Sequence, residues 1–246
     1  YARLDDFRIG AFAEFAPVRE ASLAPKPKGL TMEEAASLPL VALTAWQALV
    51  EKGKLEKGQK AFIQGGSGGV GTLAIQLAKH LGATVATTTS AGNAALVKSL
   101  SADVVIDYRT QDFEDVLRDY DVVLNSQDGK TLEKSLRVLA RGGKLISISG
   151  PPDAEFGREI KAPAFVRLVM RLLSARIRRQ ARRSEVAYSF LFMKADGSQL
   201  REITRLVDAG AIRPVVDRVF PFESTNEAMA YVDAGRAKGK VVVKVK

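Results

Sequence analysis

A chain of 246 residues is long enough for one large or two small domains with a substantial core. It holds no cysteine and a single histidine, His80, which excludes a disulfide framework, a thiolate metal site and a histidine cluster, and with them a structural or catalytic zinc. The net charge of +9 suits an anionic ligand, nucleic acid or an acidic surface, while no apolar run approaches the roughly 20 residues that cross a bilayer. No signal-like segment is visible either, so the expectation is a cytoplasmic protein without stable membrane insertion.

Taken in chain order, residues 1–28 carry short alternating segments such as GAFAEFAPV, followed by the turn PKPKG, and they predict a piece of antiparallel sheet. From Leu38 to Met193 strands and helices alternate, as in a parallel sheet. AFIQG, TVATTT, VVIDY, VVLNS, KLISISG and YSFLFM read as six strands. A helix over 92–100 separates the second from the third, and a helix over 130–140 ends at Gly142-Gly143, a stop signal. Between Phe165 and Arg183 the apolar Phe165, Leu168, Val169, Leu172 and Leu173 share one helical face, with Arg167, Arg171, Arg178 and Arg182 largely on another. Such a basic amphipathic helix could dock on an anionic membrane or nucleic acid, but charge on an outer face needs no ligand, and no nucleic-acid partner is expected. After a helix over 197–209, IRPVVDRVFPF reads as a strand, EAMAYVDAG as a helix and GKVVVKV as a closing strand. The organisation is therefore a doubly wound α/β domain over 37–209, with residues 1–36 and 210–246 joining into a second domain.

The most informative stretch is AFIQGGSGGVGTLAIQLAKHLGA, residues 61–83, where an apolar strand enters a glycine-dense turn and then an amphipathic helix. Gly66, Gly68 and Gly71 stand at G-x-G-x-x-G spacing: the first for the tight turn, the second for backbone approach to a pyrophosphate, the third for close packing of helix on strand. The helix beginning near Val70 points its free N–H groups and positive dipole end at the diphosphate. Two rival motifs fail. A P-loop needs Gly-Lys-Ser/Thr, but Thr72 and Leu73 follow Gly71. Gly65, Ser67 and Gly69 also spell G-x-S-x-G, the hydrolase nucleophile elbow, yet no histidine lies downstream of His80 to serve as base.

A site for NAD places an acid about 20 residues beyond the glycine motif to bond the ribose 2′-hydroxyl. No acid occurs here before Asp103, and a 2′-phosphate would find the hydroxyls of Thr88, Thr89 and Ser90, which favours NADP(H). Gly66, Ser90, Tyr108, Asn125 and Ser149 would gather at the carboxyl ends of the strands.

Together with AASLPLVALTAWQAL, GKTLEKSLRVLARGGKLISI, LVDAGAIRPVVDRVFPF and EAMAYVDAGRAKGKVVV, the glycine motif makes nearly the whole chain resemble the zinc-free medium-chain dehydrogenase/reductases of the quinone oxidoreductase type. SFLFM and the carboxyl-terminal pair are especially similar to its reticulon-interacting mitochondrial branch and that branch's bacterial relatives. The resemblance implies a Rossmann sheet joined to part of a GroES-like, mainly β catalytic domain, homodimer formation, and NADPH-dependent reduction of quinones or α,β-unsaturated carbonyls. Alternatives are an enoyl or alkenal reductase and a non-catalytic NADPH-binding protein. Residue by residue, Gly66, Ser67, Gly68, Gly69, Val70 and Gly71 match the diphosphate turn, Ser90 the adenosine-phosphate loop beside Thr89, and Tyr108 the aromatic near the 2′-phosphate. Arg236, Lys238 and Gly239 match a tail contact to the cofactor, and Thr44 resembles a residue lining the nicotinamide pocket. Asn93 stands where several relatives carry a lysine on the 2′-phosphate. The family begins with roughly another 70 to 80 residues ahead of YARLDD, so the expectation is that much of the substrate pocket lies outside these residues.

Overall fold

The computed structural model describes residues 1–4 and 10–246. In chain order its main elements are α1 (Met32–Ala36), α2 (Pro39–Trp46, continued by a π-helical turn Gln47–Lys52), β1 (Lys60–Ile63), α3 (Gly69–His80), β2 (Thr84–Thr89), α4 (Ala94–Ser99), β3 (Val104–Asp107), α5 (Phe113–Val116), β4 (Tyr120–Asn125) and α6 (Gly129–Ser135). There follow β5 (Leu139–Ser147), α7 (Ala154–Glu159), α8 (Ala164–Leu173), α9 (Ala175–Arg183), β6 (Ala187–Phe190), α10 (Gly197–Asp208), β7 (Val216–Pro221), α11 (Thr225–Asp233) and β8 (Lys240–Lys244).

β1 to β6 form one parallel sheet in the order β3-β2-β1-β4-β5-β6. The central strands are apolar almost throughout because helices cover both faces. Successive residues of β1 therefore serve different cores: Ala61 and Ile63 pack with Leu73, Val85 and Leu124, whereas Phe62 packs with Ile106, Phe113, Val123 and Leu145. The winding reverses between β1 and β4, and a doubly wound sheet opens its ligand crevice at the carboxyl ends of the strands beside that reversal.

All six predicted strands are present, and four readings are corrected. The helix expected over 130–140 ends at Ser135, and β5 already begins at Leu139, paired with Tyr120. Gly142-Gly143 lies inside β5, where the register shifts between Tyr120 and Val122 and Gly142 takes φ +79°, so a bulge rather than a helix stop required glycine. Of the expected sheet over residues 1–28 the described residues show one antiparallel bridge, Ala2 with Leu23; Asp5 to Ile9 lie outside the described residues. GAFAEFAPV alternates like a strand, but among the described residues no strand pairs with it, and Phe12 and Phe15 are exposed. The basic helix is broken at buried Ser174, whose Oγ donates to the Met170 carbonyl at 2.9 Å, and its apolar row from Phe165 to Leu173 is turned to solvent together with Arg167, Arg171 and Arg182.

β7 and β8 pair in parallel as a separate two-stranded sheet, covered by α11 and flanked by α1. Lys244 Nζ reaches Glu33 at 2.8 Å, tying this sheet to α1. Among the described residues no helix is long and apolar enough to cross a membrane.

Candidate dinucleotide site

A cleft of about 680 Å3 lies at the carboxyl ends of β1 to β4, a size suited to a small-molecule ligand. Its floor is the turn from β1 to α3. Gly65, at φ +64°, makes the sharp bend, one residue earlier than the motif count suggests. Gly66 is required for another reason: a Cβ there would lie 2.1 Å from Thr87 Oγ1. At Gly71 it would lie 2.3 Å from the Gly65 carbonyl oxygen, so only hydrogen lets α3 approach the turn. Gly68 is less crowded: a Cβ would meet only that same oxygen, tightly, at 3.3 Å, and its remaining side faces the cleft.

α3 starts at Gly69 with no side-chain cap, so the N–H groups of Gly69, Val70 and Gly71 have neither an intrahelical partner nor a capping oxygen. All three residues line the cleft, where the helix dipole adds partial positive charge. Ser67 is fixed from β2: its Oγ accepts from Thr89 Oγ1 at 3.0 Å and from Asn93 Nδ2 at 3.2 Å. Asn93, standing where a lysine was expected from the resemblance, thus supports the turn. This donor set fits a dinucleotide diphosphate.

Ser67, Gly68, Gly69, Val70, Gly71, Thr89 and Tyr108 line the cleft together, with Gly66 directly beneath. Tyr108 is 59% exposed, with the Arg109 guanidinium 5.9 Å from its ring centre, so a cation stands near the aromatic. Ser90 follows β2 without lining the cleft, and Ser149 spends its Oγ on the Gln127 carbonyl at 2.6 Å. The tail returns to the turn: Gly239 N–H donates to the Ser67 carbonyl at 2.8 Å, and Gly235 and Ala237 line the cleft, with Arg236 and Lys238 exposed beside them at its edge. Thr44 is not brought to this cleft. It is buried within α2, and its Oγ1 donates to the Leu40 carbonyl at 2.8 Å, an ordinary helix-interior bond.

Several participants escaped sequence reasoning. Gln111, Lys130, Thr131 and Lys134 line the far wall, Lys134 paired with Asp112 at 2.6 Å. The only available signal was the cap of α6, where Asp128 accepts from Thr131 N–H at 2.8 Å. Lys240 packs its stem beside Gly69, and burial lowers the pKa of its ammonium. Beneath the cleft a buried polar chain locks β1, β4 and β5: Asn125 Nδ2 donates to Gln64 Oε1 at 2.6 Å, Gln64 Nε2 to Ser135 Oγ at 2.7 Å, and Ser147 Oγ to Asn125 Oδ1 at 2.6 Å. Asn125 is therefore scaffold, not ligand contact. Asp103, the first acid after the motif, sits at the opposite end of β2. Partial burial raises its pKa, but the Val85 N–H and Lys79 ammonium outweigh that and hold it below the usual carboxylate range.

The family described as zinc-binding dehydrogenase matches residues 100–243, more than half of the chain. The chain belongs to this zinc-binding dehydrogenase family, among the medium-chain dehydrogenases/reductases. Within the family it is 37% identical to NAD(P)H oxidoreductase RTN4IP1, mitochondrial, of Danio rerio over 100% of this chain and 65% of the relative. It is 35% identical to 2-methylene-furan-3-one reductase of Solanum lycopersicum, over 96% of this chain and 53% of that protein. The solved quinone oxidoreductase of Coxiella burnetii superposes with a TM-score of 0.75 at 30% identity, covering 90% of this chain and 63% of that one. The chain thus spans less than two thirds of each of these relatives. Despite the family's title, no cluster of three His, Cys, Asp or Glu suited to a metal occurs among this member's described residues.

Proposed function

We propose that the chain binds NADP(H) in this cleft and serves hydride transfer to a quinone or an α,β-unsaturated carbonyl without zinc. The observation that carries the reading is the cleft-facing side of Gly68 beside the uncapped start of α3, with no acid at the end of β2. Gly68 to Gly71 would hold the diphosphate, Tyr108 and Arg236 the 2′-phosphate side. The names of the relatives support the substrate class. When bound, the nicotinamide supplies the hydride, and the protein's part is orientation and exclusion of water. Residues 37–209 would form the dinucleotide domain and 1–36 with 210–246 part of the GroES-like catalytic domain; the separate β7–β8 sheet and the Lys244–Glu33 pair support that division. A homodimeric, cytoplasmic protein is part of the same proposal, although the RTN4IP1 relatives are named mitochondrial.

The test is NADPH oxidation by the complete protein with 9,10-phenanthrenequinone, with a simple enone and with no acceptor. Acceptor-dependent oxidation is expected, the faster acceptor separating quinone reductase from enone reductase. Stoichiometric binding without oxidation by either acceptor would instead assign a non-catalytic NADPH-binding protein. Prolonged chelation should leave the rate unchanged, because no cysteine and only one histidine exist to hold zinc. A rate lost to chelator and restored by zinc would contradict the reading.

A further inference from the structure

α8 leaves its apolar face as open to water as its arginines. At 3.6 residues per turn, Arg167, Met170 and Ser174 form its inner side, and α7 packs there, with Gly157 facing Arg167 and Met170. The outer side carries Phe165, Leu168, Val169, Leu172 and Leu173, exposed by 69%, 54%, 50%, 65% and 60%, and no residue of α8 is buried. Five large apolar side chains on one exposed helical face mark an interaction surface. Beside them α7, α8 and α9 enclose a cleft of about 880 Å3 lined by Arg158, Arg167, Arg171, Arg178, Arg179 and Arg182, and no acidic residue lines it. The acids of α7 face elsewhere: Glu155 and Glu159 pair with Lys52. Among the described residues none of those six arginines has a carboxylate partner within 4.0 Å.

From this juxtaposition we infer that α8 and the arginine cleft form a docking surface for an anionic phospholipid bilayer, with the apolar row entering the headgroup boundary and the guanidinium groups holding lipid phosphates. Charge complementarity selects this occupant. A second copy docked symmetrically through the same face would bring like arginine clusters together. Nucleic acid or a free polyphosphate would satisfy the arginines but leave the aliphatic row in water. The inference is independent of the dinucleotide site, which lies at the strand ends.

Vesicle co-sedimentation tests it with the full chain, using phosphatidylcholine alone and phosphatidylcholine with about 30 mol% phosphatidylglycerol. Binding is expected only to the anionic vesicles, weakened by added salt, and at least roughly tenfold weaker for Phe165→Ser/Leu172→Ser and for Arg171→Glu/Arg178→Glu. Because the four positions are not buried, unchanged melting temperatures should show both variants folded. Absence of binding to anionic vesicles, or binding indifferent to the apolar variant, would overturn the proposal. So would a dimer that Leu172→Ser converts to monomer with no vesicle binding, or duplex DNA bound through the arginines alone.

Discussion

Gly71→Val is expected to leave no stably folded protein, while Gly68→Val folds normally and fails to bind a dinucleotide. The two glycines belong to one motif but are constrained by different things. A side chain at position 71 meets the Gly65 carbonyl at 2.3 Å and the Gly66 Cα at 2.7 Å, both backbone atoms of the turn itself. Neither can move without separating α3 from β1, so the cost should reach about 4 kcal/mol or more, in the range where single substitutions unfold a domain. At position 68 a Cβ has one tight neighbour, the Gly65 carbonyl oxygen at 3.3 Å, which need give only a few tenths of an ångström, and the backbone, φ −80° and ψ 173°, is extended and suits any residue. The valine would instead occupy the approach to the Gly69, Val70 and Gly71 N–H groups. Loss of one or two charge-assisted hydrogen bonds is worth about 3 kcal/mol, a drop of roughly 100-fold in affinity. Thermal melting and calorimetric titration of both variants check this. A Gly71→Val protein melting with the parent, or a Gly68→Val protein binding NADPH with parental affinity, would show the turn misassigned.

Phe62→Ala should carry the largest purely packing cost. Phe62 is fully buried in β1, the strand on which both halves of the sheet are built, with the Phe113 ring at 4.9 Å and the Tyr120 ring at 6.2 Å. Neither neighbour can collapse freely, since Phe113 is held at the start of α5 and Tyr120 in β4. Truncation should cost about 3–5 kcal/mol. Urea titration would register this as a lower midpoint at unchanged slope. A shift below about 1 kcal/mol would mean that this face of the sheet is loosely packed.

The strands were legible because parallel strands buried on both faces are written as apolar runs, as in AFI and VVL. The glycine turn was legible for a similar reason, since its spacing encodes backbone approach. What misled were signals with two physical origins. Gly142-Gly143 suits a helix end and a bulge equally well, and only the pairing of Tyr120 with Leu139 decides between them. GAFAEFAPV has strand periodicity, but periodicity does not supply a neighbouring strand. α8 displays an apolar stripe that a sequence alone directs inward, whereas α7 occupies the opposite side. In the site, Lys130, Lys134 and Gln111 come from loop and helix ends that carry no period, and the return of Gly239 to Ser67 spans most of the chain.

Comparing NADPH with NADH binding to this chain decides whether the cleft is an NADP(H) site. NADPH should bind more tightly, and Tyr108→Ala or Arg236→Ala should narrow the gap by weakening NADPH alone, by about 1–3 kcal/mol if a charge-assisted contact is lost. Superimposable titration curves for the two cofactors, or no binding of either, would show that the cleft is not an NADP(H) site.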